Sequence, residues 1–125
     1  MDNKKKVLII DDDPDFVAMT KELLSHGGYE VYTAGSGDEG LGKVRNIALD
    51  LILLDIIMPE KDGLEVLYEL RNKFPDVGEI PVIMVTGKKE MESVFQARGF
   101  GASGYIVKPF SAKELLEIVA KYIGT

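Results

Sequence analysis

The chain has 125 residues, 46% of them hydrophobic and 29% charged, enough for one buried core and too few for two. It lacks cysteine, which excludes disulfides and thiolate metal sites, and its formal charge of −6 argues against a general affinity for the nucleic-acid backbone. Its apolar runs are only a few residues long, so no membrane span is expected; one domain over 1–125, in a reducing cytoplasm, fits this composition.

The amino-terminal MDNKKK leads into an aliphatic run, Val7–Ile10, that reads as a strand, with Lys4, Lys5 and Lys6 as its solvated edge. DDDPD follows. Pro14 suits the first position of a helix over 14–26, with Asp13 as its cap, and His26 in SHGG reads as an exposed loop residue. After a strand at Glu30–Ala34, Ser36 and Glu39 have capping-box spacing for a helix over 36–46. Gly40 and Gly42 weaken it by about 1 kcal/mol each relative to Ala.

Leu51–Leu54 has no polar alternation and therefore reads as a strand buried on both faces. A helix over 63–74, a strand at Pro81–Val85, a helix over 88–98 and a strand at Tyr105–Val107 follow. A second capping box, Ser111 with Glu114, opens a last helix over 111–123, whose Leu115, Val119 and Tyr122 form an apolar stripe.

This alternation predicts a doubly wound α/β domain, with parallel strands, right-handed crossovers and helices on both faces. Such sheets bind ligands outside the carboxyl ends of their strands, where strand order reverses. Asp11 and Asp12, Asp55, Thr86 and Lys108 stand at or just past those ends. If the first and third strands are neighbours, the carboxylates converge. Two unit charges about 4 Å apart repel by roughly 4 kcal/mol at an effective dielectric near 20, so the cluster requires a counter-charge. Magnesium, a hard cation that takes oxygen ligands, fits, and Lys108 has the reach to balance the remainder and meet a phosphoryl oxygen. Singly, each residue has an ordinary explanation as a cap, a strand-end hydroxyl or a solvated lysine. Their coincidence on one edge points to a site.

IIDDDP, LILLDIIMPEKDG, VIMVTG and GASGYIVKPF, in this order, resemble the receiver domain of two-component response regulators, over a match that runs from Lys5 to the chain end. The resemblance implies a five-stranded sheet of order 2-1-3-4-5 flanked by five helices, an order for which flavodoxin and the chemotaxis receiver are standard examples. It implies that Asp55 accepts a phosphoryl group from a phosphohistidine on a sensor histidine kinase or histidine phosphotransferase. Magnesium would be held by Asp12, Asp55 and the backbone carbonyl of Ile57, with Asp11 acting mainly through a bound water. Thr86 would donate its hydroxyl to the phosphoryl group and Lys108 would pair with it. Tyr105 would turn inward as Thr86 moves, and the Lys108–Pro109 bond would be cis. The output would be a shape change in the surface of the fourth helix, fifth strand and fifth helix, read by a downstream protein or output domain. A phosphorylation-linked dimer is one form of such an output. The domain would catalyse only its own phosphorylation and dephosphorylation.

Ile57 and Lys88 occupy the two positions that tune dephosphorylation in this family. Ile57 gives an attacking water no hydrogen bond, which predicts a long-lived phosphoryl group, while Lys88 is expected to face solvent. The chain stops just after its last helix, compatible with a stand-alone receiver or with a receiver cut from a longer protein, and Met1 fits a natural beginning. Three rivals remain. A phosphatase of the haloacid-dehalogenase type would use Asp11 as nucleophile and Asp13 as acid, but it leaves Asp55 without a role. A flavodoxin-like flavin carrier would need a neutral phosphate loop where DDD stands. A degenerate receiver would keep the fold as an interaction module, although every expected site residue is present.

Overall fold

The computed structural model describes residues 3–77, 79–87 and 90–124, with Met91 by its backbone alone. Strands β1 (Lys6–Ile10), β2 (Glu30–Ala34), β3 (Leu51–Asp55), β4 (Val82–Thr86) and β5 (Gly104–Val107) alternate with helices α1 (Pro14–His26), α2 (Gly37–Asn46), α3 (Gly63–Lys73), α4 (Met91–Gly99) and α5 (Ala112–Ile123). Every strand pair is parallel and the sheet runs β2-β1-β3-β4-β5, the order expected from the sequence. None of the described helices is long and apolar enough to cross a membrane.

The two-residue period of a strand divides the central strands between two cores. Leu8, Ile10, Ile52, Leu54 and Met84 pack with Leu41 and Val44 of α2 and Val66, Leu67 and Leu70 of α3. Val7, Ile9, Leu51, Leu53 and Ile83 pack on the other face with Leu24 of α1 and Leu115 and Val119 of α5. Alternation is therefore absent from LILL because both of its faces are covered. Burying each such side chain contributes about 1.5–3 kcal/mol, so the central strands hold the carboxyl edge of the sheet in place.

Helix starts follow their local chemistry. Asp13 caps α1, its side chain accepting from the N–H groups of Asp15 at 3.0 Å and Phe16 at 3.4 Å. At α5 the capping box is complete: Ser111 Oγ accepts from Glu114 N–H at 3.0 Å, and Glu114 Oε1 accepts from Ser111 N–H at 3.2 Å. At α2 only half of it forms. Ser36 Oγ accepts from Glu39 N–H, while Glu39 Oε1 takes the N–H of Gly35 instead. The expected weakness of α2 has a packing cause, since a Cβ on Gly40 would lie 2.4 Å from Ile10 Cδ1. The glycine lets α2 lie directly on β1.

Some boundaries differ from the sequence reading. β4 begins at Val82, and Pro81, which has no N–H, contributes only its carbonyl, accepting from Ile52 N–H at 3.0 Å. His26 is the last residue of α1 and, though exposed as expected, lies within the helix, 4.0 Å from Glu22. A 3-10 turn at Pro75–Val77 was not anticipated. α4 begins at Met91 without a side-chain cap, and Lys88, expected in that helix and facing solvent, lies outside the described residues.

At Gly63 the chain turns from the β3 loop into α3, and a Cβ there would stand 2.2 Å from the carbonyl oxygen of Asp55. Backbone cannot yield as a flexible side chain does. Gly63→Ala is expected to lower stability by about 2–3 kcal/mol in urea unfolding, whereas Gly42→Ala, with open space at its Cβ, should not destabilise.

Candidate functional site

Strand register builds the site. Ile10 pairs with Leu54, so Asp11 emerges beside Asp55. Asp55 pairs with Val85 and Thr86 with Val107, so Thr86 and Lys108 each follow one step further along the same edge. Asp11, Asp12 and Asp55 each present a carboxylate oxygen, all within 4.8 Å of one another. Asp11 and Asp55 are only 2% and 8% exposed, whereas Asp12 faces solvent.

Asp11, Asp55, Thr86 and Lys108 already have local partners. Asp11 Oδ1 accepts from Asp13 N–H at 2.9 Å, and Asp11 Oδ2 accepts from Lys108 Nζ at 3.3 Å. Asp55 Oδ1 accepts from Ile57 N–H at 3.3 Å. The buried Thr86 hydroxyl donates to the Gly87 carbonyl at 3.0 Å. The Lys108–Pro109 bond is cis, as the resemblance implied, and Lys108 N–H donates to Thr86 carbonyl at 2.7 Å. Tyr105 is 43% exposed on β5 and Ile57 is 59% exposed beside the pocket. Asp13 lies apart in role, its carboxylate occupied as the α1 cap.

Burial, reinforced by the charge of Asp11, pushes the Asp55 carboxyl from its ordinary 3.8 up to about 7; Lys108 and the Ile57 N–H act in the opposite direction. Three negative groups against one lysine leave a formal −2 when all are ionised. A small divalent cation with oxygen ligands fits both that charge and that donor set.

Two features of the pocket escaped sequence reasoning. The Phe16 ring lies over Lys108, its centroid 4.1 Å from Nζ, and Phe16 meets Phe110 edge to face. Lys61, in the loop after β3, binds Glu69 of α3 at 2.6 Å and Asp38 of α2 at 2.9 Å, fastening that loop from below. The position of Phe16 in the first turn of α1, beside the acidic run, was the available signal for the first. A lysine in a loop gives no such signal.

The family model described as response regulator receiver domain matches residues 7–120. The chain belongs to this family. It is 40% identical over 113 residues to the probable transcriptional regulator ycf27 of Cyanophora paradoxa, covering 90% of this chain and 46% of the relative. Against the alkaline phosphatase synthesis transcriptional regulatory protein PhoP of Bacillus subtilis it is 37% identical over 111 residues, covering 89% of this chain and 45% of that one. The chain thus spans about half the length of these curated relatives. Among solved structures, the chemotaxis protein CheY4 of Vibrio cholerae superposes with a TM-score of 0.90 at 32% identity, covering 96% of this chain and 99% of that one. The receiver domain of NtrX from Brucella abortus gives 0.87 at 32% identity, covering 95% and 98%. Receiver domains are the phosphoacceptors of two-component signalling and bind magnesium in an acidic pocket.

Without divalent cations, the folded receiver holds the Asp55 proton more tightly than the unfolded chain does. The resulting stability is fully present below the ordinary 3.8 and is lost as pH rises through about 7. In a sealed site the shift would amount to about 4 kcal/mol, which water at the pocket mouth reduces to roughly 2 kcal/mol. Asp55→Asn should therefore stabilise the protein in a chelator by about 1–2 kcal/mol near pH 8. Urea unfolding across pH should show that gain disappearing in acid.

Proposed function

We propose that Asp55 is the phosphoacceptor of this receiver. Asp12, Asp55 and the backbone carbonyl of Ile57 would hold magnesium, and Asp11 would act mainly through a bound water. The observation that carries this assignment is a buried Asp55 sharing a small volume with two further carboxylates and facing the Lys108 end of the same edge. Asp11 supports its own indirect role, since both of its oxygens already have partners, Asp13 N–H and Lys108.

When bound, the ion neutralises the carboxylates and offsets the charge of the incoming phosphoryl oxygens. A carboxylate oxygen of Asp55 attacks the phosphorus of a phosphohistidine; the O–P bond forms as the N–P bond breaks, and the imidazole departs with that electron pair and takes up a proton. Lys108 pairs with the phosphoryl group. Thr86 exchanges its hydrogen bond to the Gly87 carbonyl for a phosphoryl oxygen, and the outward-facing Tyr105 turns in behind it. The added charge biases the surface formed by α4, β5 and α5. In support, α4 starts without a side-chain capping bond.

The donor is a sensor histidine kinase or histidine phosphotransferase, and the target is a downstream protein or output domain, with a phosphorylation-linked dimer as one form of output. Residues 1–125 act as one cytoplasmic receiver that catalyses only its own phosphorylation and dephosphorylation and makes no direct contact with nucleic acid or membrane. The names of the two curated relatives describe transcriptional regulators, which favours a transcriptional output. The phosphatase alternative is disfavoured because its acid, Asp13, is spent on capping α1.

Incubation with acetyl phosphate and magnesium should add one phosphoryl group by intact-protein mass spectrometry, and Asp55→Ala or a chelator should abolish it. Modification at another residue, or continuous turnover of a phosphate ester, would displace this assignment. Ile57→Asn, which supplies a hydrogen-bonding group beside the acyl phosphate, should speed loss of the phosphoryl group several-fold in a decay assay. An unchanged decay would remove Ile57 from control of the lifetime.

A further inference from the structure

Phe16 has no part in the chemistry above, yet it bears directly on Lys108. Its ring centroid lies 4.1 Å from the Lys108 ammonium, which also contacts Asp11 Oδ2 at 3.3 Å. The ring is well anchored. Phe16 sits in the first turn of α1 with its N–H on Asp13 Oδ1, and it packs against Phe110 with centroids 5.8 Å apart and planes at 83°. The ring pair thus ties the start of α1 to the segment that carries Lys108.

A lysine ends in a compact, strongly hydrated charge on a flexible stem. In an acidic pocket, a further carboxylate could order that stem, but it would cancel the charge the phosphoryl group needs and add repulsion toward Asp55. An aromatic face attracts the cation through its quadrupole and brings no net charge. It also keeps water from one side of the ammonium.

We propose that Phe16 is a positioning residue for phosphoryl transfer: its ring holds the Lys108 ammonium at the pocket with its charge available to the incoming phosphoryl oxygens. This rests on the assignment of Lys108 as the ion-pair partner of the phosphoryl group. Phe16 touches no reacting atom and acts through Lys108 alone.

Phe16→Leu keeps apolar bulk and removes the ring. With acetyl phosphate at saturating magnesium, phosphorylation of Asp55 should slow by about threefold to tenfold, while magnesium affinity by calorimetry stays unchanged. Phe16→Tyr should restore the rate. Fluorinated phenylalanines at position 16 preserve the shape and weaken the quadrupole, so the logarithm of the rate should fall with each added fluorine. A flat series, or a Leu variant as fast as the wild type, overturns the proposal. Should the Leu variant fail to fold, the Tyr variant and the fluorinated series still decide the matter.

The contact itself is tested without phosphate. The ring current should move the Lys108 ε-methylene proton resonances upfield in the wild type and in Phe16→Tyr, but not in Phe16→Leu. No upfield shift in the wild type would overturn the proposal at its root. Failure of the phosphoacceptor assignment looks different: the shift is present, yet the wild type takes no phosphoryl group on Asp55, and the positioning role falls while the contact stands.

Discussion

The carboxylates of Asp11, Asp12 and Asp55 repel one another, and the fold brings an oxygen from each within 4.8 Å of the others. That repulsion is overcome by the parallel registers of β1 with β3 and β3 with β4, which are fixed in turn by aliphatic side chains buried on both faces of the sheet. The cores are therefore the source of the stored electrostatic energy at the edge. Unfolding any central strand would release it, so the pocket and the hydrophobic layers form one cooperative unit. The raised proton affinity of Asp55 comes first from its burial, and the charge of Asp11 adds to it.

Much of the fold was legible because its signals are local. An unbroken LILL, the paired Ser and Glu of α5 and the proline at the start of α1 each specify an element without reference to distant residues. The pocket residues were legible for a related reason. In a parallel sheet, residues that end neighbouring strands must become neighbours, so linear positions translate directly into an edge.

What stayed hidden depends on how elements approach one another. Gly40 read as a flaw in α2 and proved to be the place where the helix meets Ile10. Phe16 was not singled out, because its relation to Lys108 passes through the packing of α1 against the segment after β5. Lys61 gave no signal, since its partners belong to two different helices. α4 has no side-chain capping bond at its start, so the sequence carried no capping signal there.

Asp11, Asp12 and Asp13 are identical letters in a row, yet Asp11 is buried against Lys108, Asp12 faces solvent at the pocket and Asp13 closes the first turn of a helix. Chemical similarity therefore has a different meaning at each. Serine is a near-equivalent of aspartate at position 13, where only a short side-chain acceptor is required. At position 11 the same exchange would strand a half-buried lysine without its anion. A substitution scale that scores residues by type alone would rank these neighbours as one, although they answer to separate physical demands.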